Sequence, residues 1–257
     1  MGKNKLKKFA EMETFSNVFQ CGIRQVSDDN PVAAMRGHWR ERYFHNDNPI
    51  VLELGCGRGE YTVGLARLYP DRNFIGIDIK GARIWAGAKE AELDHLPNVA
   101  FLRTNIETVT NFFAADEVDE IWITFCDPQM KKATKRLTST YFMARYQQML
   151  RPNGLVHLKT DSPFLYTYTR EMLRENAYTV LADTDDLYAV QQYPDASALQ
   201  THYEKQWLDR GLRIKYLCWE LQPKTEFSEP KIEIEHDTYR SYGRNYNSET
   251  HVSSTDN

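Results

Sequence analysis

The sequence predicts an α/β protein: a mostly parallel sheet of about seven strands with helices packed on both faces. Three observations carry this reading. Short apolar runs alternate with amphipathic stretches between residues 50 and 220, the pattern of strands joined by crossover helices. A glycine-rich segment, Glu53-Leu54-Gly55-Cys56-Gly57-Arg58-Gly59, follows directly on Ile50-Val51-Leu52 and opens a helical stretch. The next apolar run, Asn73 to Ile77, ends in Asp78, at the distance where βαβ units place a carboxylate beside a bound nucleoside.

Taken in order, residues 1–48 read as a polar arm with one helix over Val32 to Tyr43. Strand Ile50 to Leu54 leads to helix Glu60 to Tyr69, strand Asn73 to Asp78 to helix Ala82 to Leu93, and strand Val99 to Arg103 to a short helix near Thr108. Strand Glu120 to Phe125 precedes a helix over Leu137 to Leu150. There Pro152 and Gly154 stop the helix before strand Leu155 to Lys159. Helix Phe164 to Glu175, strand Tyr178 to Ala182, helix Thr201 to Asp209 and strand Ile214 to Glu220 complete the count. Residues 49–221 thus read as one catalytic-size domain. Residues 222–257, charged, poor in aliphatics and broken by Pro223 and Pro230, read as a partly disordered polar tail.

Composition narrows the function. A chain of 257 residues with 41% apolar content buries a full core. It has neither an apolar run of membrane-crossing length nor a signal-peptide core, so the expected location is the cytoplasm. Met1-Gly2 resembles a myristoylation start, but Leu6 stands where Ser or Thr is needed. Cys21, Cys56, Cys126 and Cys218 form no Cys-x-x-Cys pair, which argues for reduced buried thiols and no metal. A net charge of −4 excludes indiscriminate coating of nucleic acid. Two local clusters, Lys3, Lys5, Lys7 and Lys8, then Lys131, Lys132, Lys135 and Arg136, nevertheless suit phosphate. Monomer and homodimer both stay open.

The glycine loop has a chemical preference. Gly55, Gly57 and Gly59 let the backbone turn sharply and approach a ligand, while Glu53 adds a carboxylate at the strand end. A dinucleotide fingerprint needs its third glycine at position 60, where this chain has Glu60, and a pyrophosphate would meet two acids. The loop therefore favours S-adenosyl-L-methionine, whose tail is cationic, over NAD. Ligands of parallel α/β sheets sit beyond the carboxyl ends of the strands, which adds Asn105, Asp127 and Asp161 as candidates.

Five segments then occur together: Glu53-x-Gly55-x-Gly57-x-Gly59; Gly76-Ile77-Asp78; Phe125-x-Asp127-Pro128-x-x-Lys131-Lys132; Leu158-Lys159-Thr160-Asp161; and Thr201-x-Tyr203-Glu204. In order and rough spacing the chain resembles the bacterial tRNA (guanine-N7-)-methyltransferases over residues 45–220. The resemblance implies a Rossmann-like class I methyltransferase fold, S-adenosyl-L-methionine as cofactor, tRNA as partner, and methylation of the variable-loop guanine at position 46. It puts Glu53, Asp78, Asn105 and Asp127 at the cofactor or reacting centre, and Lys131, Asp161 and Thr201, Tyr203 and Glu204 against the substrate. The chain departs from the family where Gln129 and Met130 replace Trp and Pro, and where Ala133, Thr134 and Leu137 dilute the basic run.

The chemistry implied is modest. Guanine N7 carries a free lone pair, so methyl transfer needs no general base and rests on positioning and electrostatics. Asp127 is the expected catalytic carboxylate, with Asp161 or Glu204 reading the guanine edge and Lys131 holding O6 or a phosphate. Two alternatives remain at this level: a methyltransferase of the same fold acting on another RNA, a small molecule or a protein, and a non-enzymatic RNA-binding subunit.

Overall fold

The alternating region folds as expected, into the parallel part of one sheet. The computed structural model describes residues 3–25 and 30–238. Its strands are β1 (Val18–Gln20), β2 (Ile50–Leu54), β3 (Asn73–Asp78), β4 (Val99–Arg103), β5 (Val118–Thr124), β6 (Leu150–Thr160), β7 (Val180–Thr184) and β8 (Lys215–Glu220). The helices are α1 (Lys3–Met12), α2 (Glu60–Leu68), α3 (Gly81–Leu93), α4 (Thr140–Tyr146), α5 (Pro163–Glu175), α6 (Pro194–Ser197) and α7 (His202–Asp209). The sheet order is β1-β4-β3-β2-β5-β6-β8-β7. Strands β1 to β6 pair in parallel, whereas β8 runs antiparallel between β6 and β7. Every residue of β2 and β3 is buried, as an apolar run covered by helices on both faces requires.

The sheet has eight strands where seven were expected. The addition, β1, is three residues long and joins the β4 edge, with Val18 opposite Phe101. The helix expected over Val32 to Tyr43 is instead a 3-10 turn, Ala33–Met35, and a π-helical turn, Arg40–Phe44. Gly37 separates them at φ 80°, and the Glu117 carboxylate accepts hydrogen bonds from the backbone N–H of Gly37 (2.7 Å) and of Trp39 (3.1 Å). A long-range carboxylate thus satisfies amides that a helix would have used.

The Leu137 to Leu150 helix contracts to α4, and β6 begins at Leu150 rather than Leu155. Pro152, Asn153 and Gly154 bulge the strand instead of ending a helix. Leu150 pairs with Val118 and Leu155 with Glu120, and Asn153 takes φ 57°.

Residues 222–238 form neither helix nor strand but lie against the body. Phe227 and Ile234 pack on the core, Asn176 exchanges two hydrogen bonds with Ser228, and Glu229 accepts bonds from Thr140 and Tyr168. The disorder expected of the tail falls on residues 239–257, outside the described residues. At the other end α1 docks on α3: Glu11 accepts a bond from Trp85 Nε1 (2.9 Å) and pairs with Lys89 (2.7 Å), and Lys8 lies over the Trp85 ring. The side chains of Lys3 and Lys5 lie outside the described residues. All four cysteines are buried, and no disulfide joins them. No helix among the described residues is long and apolar enough to cross a membrane.

One charged cluster is buried in the sheet, away from the strand ends. His157 of β6 stacks flat on Trp122 of β5 (4.0 Å, 1°), pairs through Nε2 with Glu120 (3.0 Å) and contacts the Tyr216 hydroxyl through Nδ1 (2.8 Å). Burial alone would lower its pKa. The Cys218 and Glu120 hydrogen bonds and the Glu120 charge outweigh burial and raise it from 6.5 to about 9. The folded protein therefore holds this proton more tightly than the unfolded chain. The resulting stabilisation is complete below pH 6.5 and is lost as pH rises through about 9. Thermal melts from pH 6 to 10 should show this decline, and His157→Gln should flatten it.

Candidate active site

The order of connection reverses between β2 and β5, so a crevice opens between their carboxyl ends. Glu53 of β2 lies in it, 5% exposed. Its Oε1 accepts a hydrogen bond from the Thr124 hydroxyl of β5 (2.6 Å). Its Oε2 accepts from the backbone N–H of Thr62 (2.9 Å) and from the Thr62 hydroxyl. Thr62 can reach it because Gly76, paired with Glu53 across β2 and β3, has no side chain: a Cβ there would stand 2.8 Å from the Thr62 hydroxyl. Burial raises the Glu53 carboxyl from 4.5 to about 7, against the opposing hydrogen bonds of Thr124 and Thr62.

The glycine loop is pinned from behind. The N–H groups of Gly55 and Cys56 both donate to the Ile77 carbonyl (2.8 and 3.1 Å), and that of Gly57 donates to Asp78 Oδ2 (3.0 Å). Asp78 Oδ1 accepts from the Lys80 N–H (2.8 Å), so this acid braces the turn that it was expected to serve beside the ligand. At Gly59, the last residue before α2, φ is 73° and a Cβ would meet the Phe101 ring at 2.6 Å. Only glycine fits there.

The cleft holds about 150 Å³ of enclosed space and opens at its mouth to solvent. Glu53, Gly55 and Gly57 line one part, Phe125 another, and Thr201 and Tyr203 the part contributed by α7 and its cap. Tyr61 also lines it, and its buried hydroxyl has no hydrogen-bond partner among the described residues. A buried carboxyl poised near neutrality beside an unpaired hydroxyl fits an aminoacyl tail that brings an ammonium group.

Beyond β5 the chain is contorted. Phe125 and Gln129 both take φ 49°, bracketing Asp127-Pro128, and such left-handed residues cost about 1–3 kcal/mol each. Asp127 is exposed, and its Oδ1 accepts the Gln129 N–H (2.9 Å). The basic run that follows divides. Arg136 is 4% exposed, lies over the rings of Tyr168 (3.8 Å) and Phe164 (4.8 Å), and donates to the carbonyls of Pro128 and Gln129 (3.0 Å each). Lys135 pairs with Glu107. Only Lys131 and Lys132 of this cluster are exposed and without an ion pair among the described residues, so the four-residue phosphate patch shrinks to two.

The last two segments of the resemblance meet beneath the surface. Lys159, with no exposure, pairs with the equally buried Glu204 (2.8 Å) and donates to the carbonyls of Ala196 (2.7 Å) and Leu199 (2.9 Å). Burial lowers the Lys159 pKa, and the Glu204 charge opposes it. Glu204 also accepts the Tyr188 hydroxyl (2.6 Å). With Thr201 it forms a capping box at the start of α7, each side chain bonded to the other's backbone N–H. Glu204 is therefore committed to the protein and does not face the cleft, contrary to the expectation that it reads the guanine edge. Asp161 is likewise fully enclosed.

Of the expected residues, then, Glu53, Gly55, Gly57, Thr201 and Tyr203 share the cleft. Gly59 and Asp78 stand behind the loop, and Asp161 and Glu204 lie below. Asn105 precedes the 3-10 turn Ile106–Asn111, and it, Asp127 and Lys131 fall outside the cleft lining. The sequence reading missed Thr62, Thr124, Tyr61 and Arg83. Thr124, at a strand end in line with Glu53, carried the one readable signal. No group of residues able to hold a metal is present among the described residues.

A parallel sheet with a buried acid and a pinned glycine turn at its switch point defines a class I methyltransferase. A family model described as "Putative methyltransferase" matches residues 47–217. The solved 16S rRNA methyltransferase KamB superposes with a TM-score of 0.55 over 71% of this chain and 92% of that one, at 15% identity, a likeness of fold alone. Within this class the chain belongs to the tRNA (guanine-N(7)-)-methyltransferase family, whose methyl donor is S-adenosyl-L-methionine. Proteins of that name match it from Bacteroides fragilis (59% identity, 95% of this chain, 96% of the relative) and Porphyromonas gingivalis (55%, 93% and 98%). The match from Clostridium acetobutylicum is more distant (34%, 73% and 88%).

Two outcomes follow from this geometry. A cationic donor tail held by Glu53 would bind its ionised form, so donor affinity measured by calorimetry should rise with pH up to about 7 and level off above it, about tenfold per unit at most. Glu53→Gln should weaken binding and abolish that dependence. Removing the partner of a buried charge is worth about 3–5 kcal/mol, so Glu204→Ala should lower the denaturation midpoint sharply, whereas Tyr203→Ala, at an exposed position, should leave it nearly unchanged.

Proposed function

We propose that the protein transfers the methyl group of S-adenosyl-L-methionine to N7 of the variable-loop guanine of tRNA, position 46. The observation that carries this reading is the buried carboxyl of Glu53 in a cleft shared with the glycine turn, in a chain 59% identical to a protein named for this reaction. When bound, the donor supplies an electrophilic methyl group. Glu53 and Tyr61 would hold its amino-acid tail, Gly55 and Gly57 would lie along it, and Asn105 and Asp78, at the ends of neighbouring strands, would face its nucleoside.

Guanine N7 gives up no proton on methylation, so no residue has to act as a base. The protein's contribution is placement and charge. Asp127, exposed on a strained loop next to the cleft-lining Phe125, would offer a carboxylate to the purine as positive charge grows on it. Lys131 and Lys132 would hold flanking phosphates. Asp161, fully enclosed, and the Thr201–Glu204 cap would set the walls rather than touch the base. Such an enzyme would work on tRNA in the cytoplasm.

Incubation with unmodified tRNA and labelled donor, followed by mapping of N7-methylguanosine, tests the reading. Label on another nucleotide, or none, would refute it. Asp127→Asn should lower the single-turnover rate about 100-fold with both binding steps nearly intact. Replacing Lys131 and Lys132 with Ala should flatten the salt dependence of tRNA affinity by about 0.7–0.9 in log–log slope per charge. An Arg136→Ala variant should instead lose stability.

A further inference from the structure

The carboxylate of Asp237, almost at the end of the described chain, is buried at 9% exposure although it lies in a segment without regular structure. It makes three connections. Its Oδ1 accepts the backbone N–H of Phe164 (3.0 Å), its Oδ2 accepts the hydroxyl of Ser162, and its own N–H donates to Met130 Sδ (3.2 Å). Ser162 is the N-cap of α5 and follows the enclosed Asp161, and its Oγ in turn accepts the Leu165 N–H (2.9 Å). Met130 belongs to the loop that carries Asp127 and Lys131. Resting on that reading of the site, we propose that Asp237 is a positioning residue for methyl transfer, clamping the Asp161 turn and the Asp127 loop in one fixed relation.

The surroundings support a clamp rather than a simple helix cap. Arg136 holds the Pro128, Gln129 and Met130 carbonyls while lying over Phe164, and His236 meets the Phe164 ring edge-on (5.4 Å). The loop and the start of α5 are thus joined twice, by Arg136 from within the loop and by Asp237 from the C-terminal segment. Lys215, half-buried, donates to the Asp161 carbonyl (3.3 Å), and Asp237 is among the acids that oppose the lowering of its pKa by burial. Removing the Asp237 carboxylate leaves the Ser162 hydroxyl and the Phe164 amide without their acceptor, and the backbone N–H that holds Met130 then belongs to a segment no longer fastened to the start of α5. Met130 stands where the family's usual pattern has Pro. A thioether accepts a hydrogen bond but cannot stiffen a backbone, so rigidity here comes from a contact rather than from a ring.

The test uses the full chain with Asp237→Ala and Asp237→Asn. Single-turnover methyl transfer at saturating tRNA should fall about ten- to 100-fold in Asp237→Ala, the effect of a small misplacement. Donor affinity should change less than about twofold, since the cleft residues are untouched. Asp237→Asn, which keeps an oxygen for the Phe164 amide, should recover most of the rate. Hydrogen exchange should quicken in residues 127–136 as well as in 162–166, whereas a purely local cap would change only the second segment. An unchanged rate at saturating tRNA in a wild-type-active preparation overturns the proposal and leaves the tRNA reading standing. Unchanged exchange in residues 127–136 overturns it whether or not the wild type methylates tRNA.

Discussion

A single ammonium group at the end of β6 holds one side of the cleft in place. Between β7 and β8 the chain makes a long excursion with little regular structure of its own, and Lys159 gathers it onto the sheet: two backbone carbonyls near α6 and the Glu204 carboxylate all converge on Nζ. A charge this deep is tolerable only when every donor is satisfied, so the excursion has one acceptable path. That path brings Thr201 and Tyr203 to the cleft. It also sets the His202 amide on the Glu60 carboxylate (2.7 Å), tying the start of α7 to the start of α2 beside the glycine turn.

Two buried acids, Glu53 in β2 and Glu204 in the first turn of α7, play different parts. Glu204 is matched by a cation of the protein itself and contributes architecture. Glu53 has only hydroxyl and amide donors, is pushed toward neutrality by burial, and so keeps an unmet preference for positive charge. On the proposed function the contrast leaves Glu204 as architecture and Glu53 as the carboxylate open to a cationic ligand. It also accounts for the neutral threonines around Glu53: a lysine there would satisfy the acid and remove its reason to bind anything.

Much of this was readable in the sequence. Strands β2 to β5 were found because continuous apolar runs bounded by glycine and acidic residues mark parallel strands, and the glycine turn and Asp78 lie where local pattern put them. What failed was non-local. Nothing near Gly37 announces that Glu117 will take its amide and break a helix, and a three-residue edge strand such as β1 has no periodicity to detect. Thr201-x-x-Glu204 is a readable capping box in its own right, yet the Lys159 that makes Glu204 unavailable to a substrate lies forty-odd positions away. The run Lys131 to Arg136 looked uniform because charge is visible in a sequence and burial is not. Arg136 became a staple through Phe164 and Tyr168, contributed by a later helix.

The antiparallel insertion of β8 governs the order in which this protein is made. During synthesis β6 emerges with one edge paired to β5 and the other bare, and β7 has no neighbour to receive it. Both wait for residues 215–220. For that interval the nascent chain displays an unpaired edge along β6, the kind of surface that recruits other strands. A chain stopped before β8 is therefore a six-stranded sheet with an open side along β6 rather than a smaller enzyme.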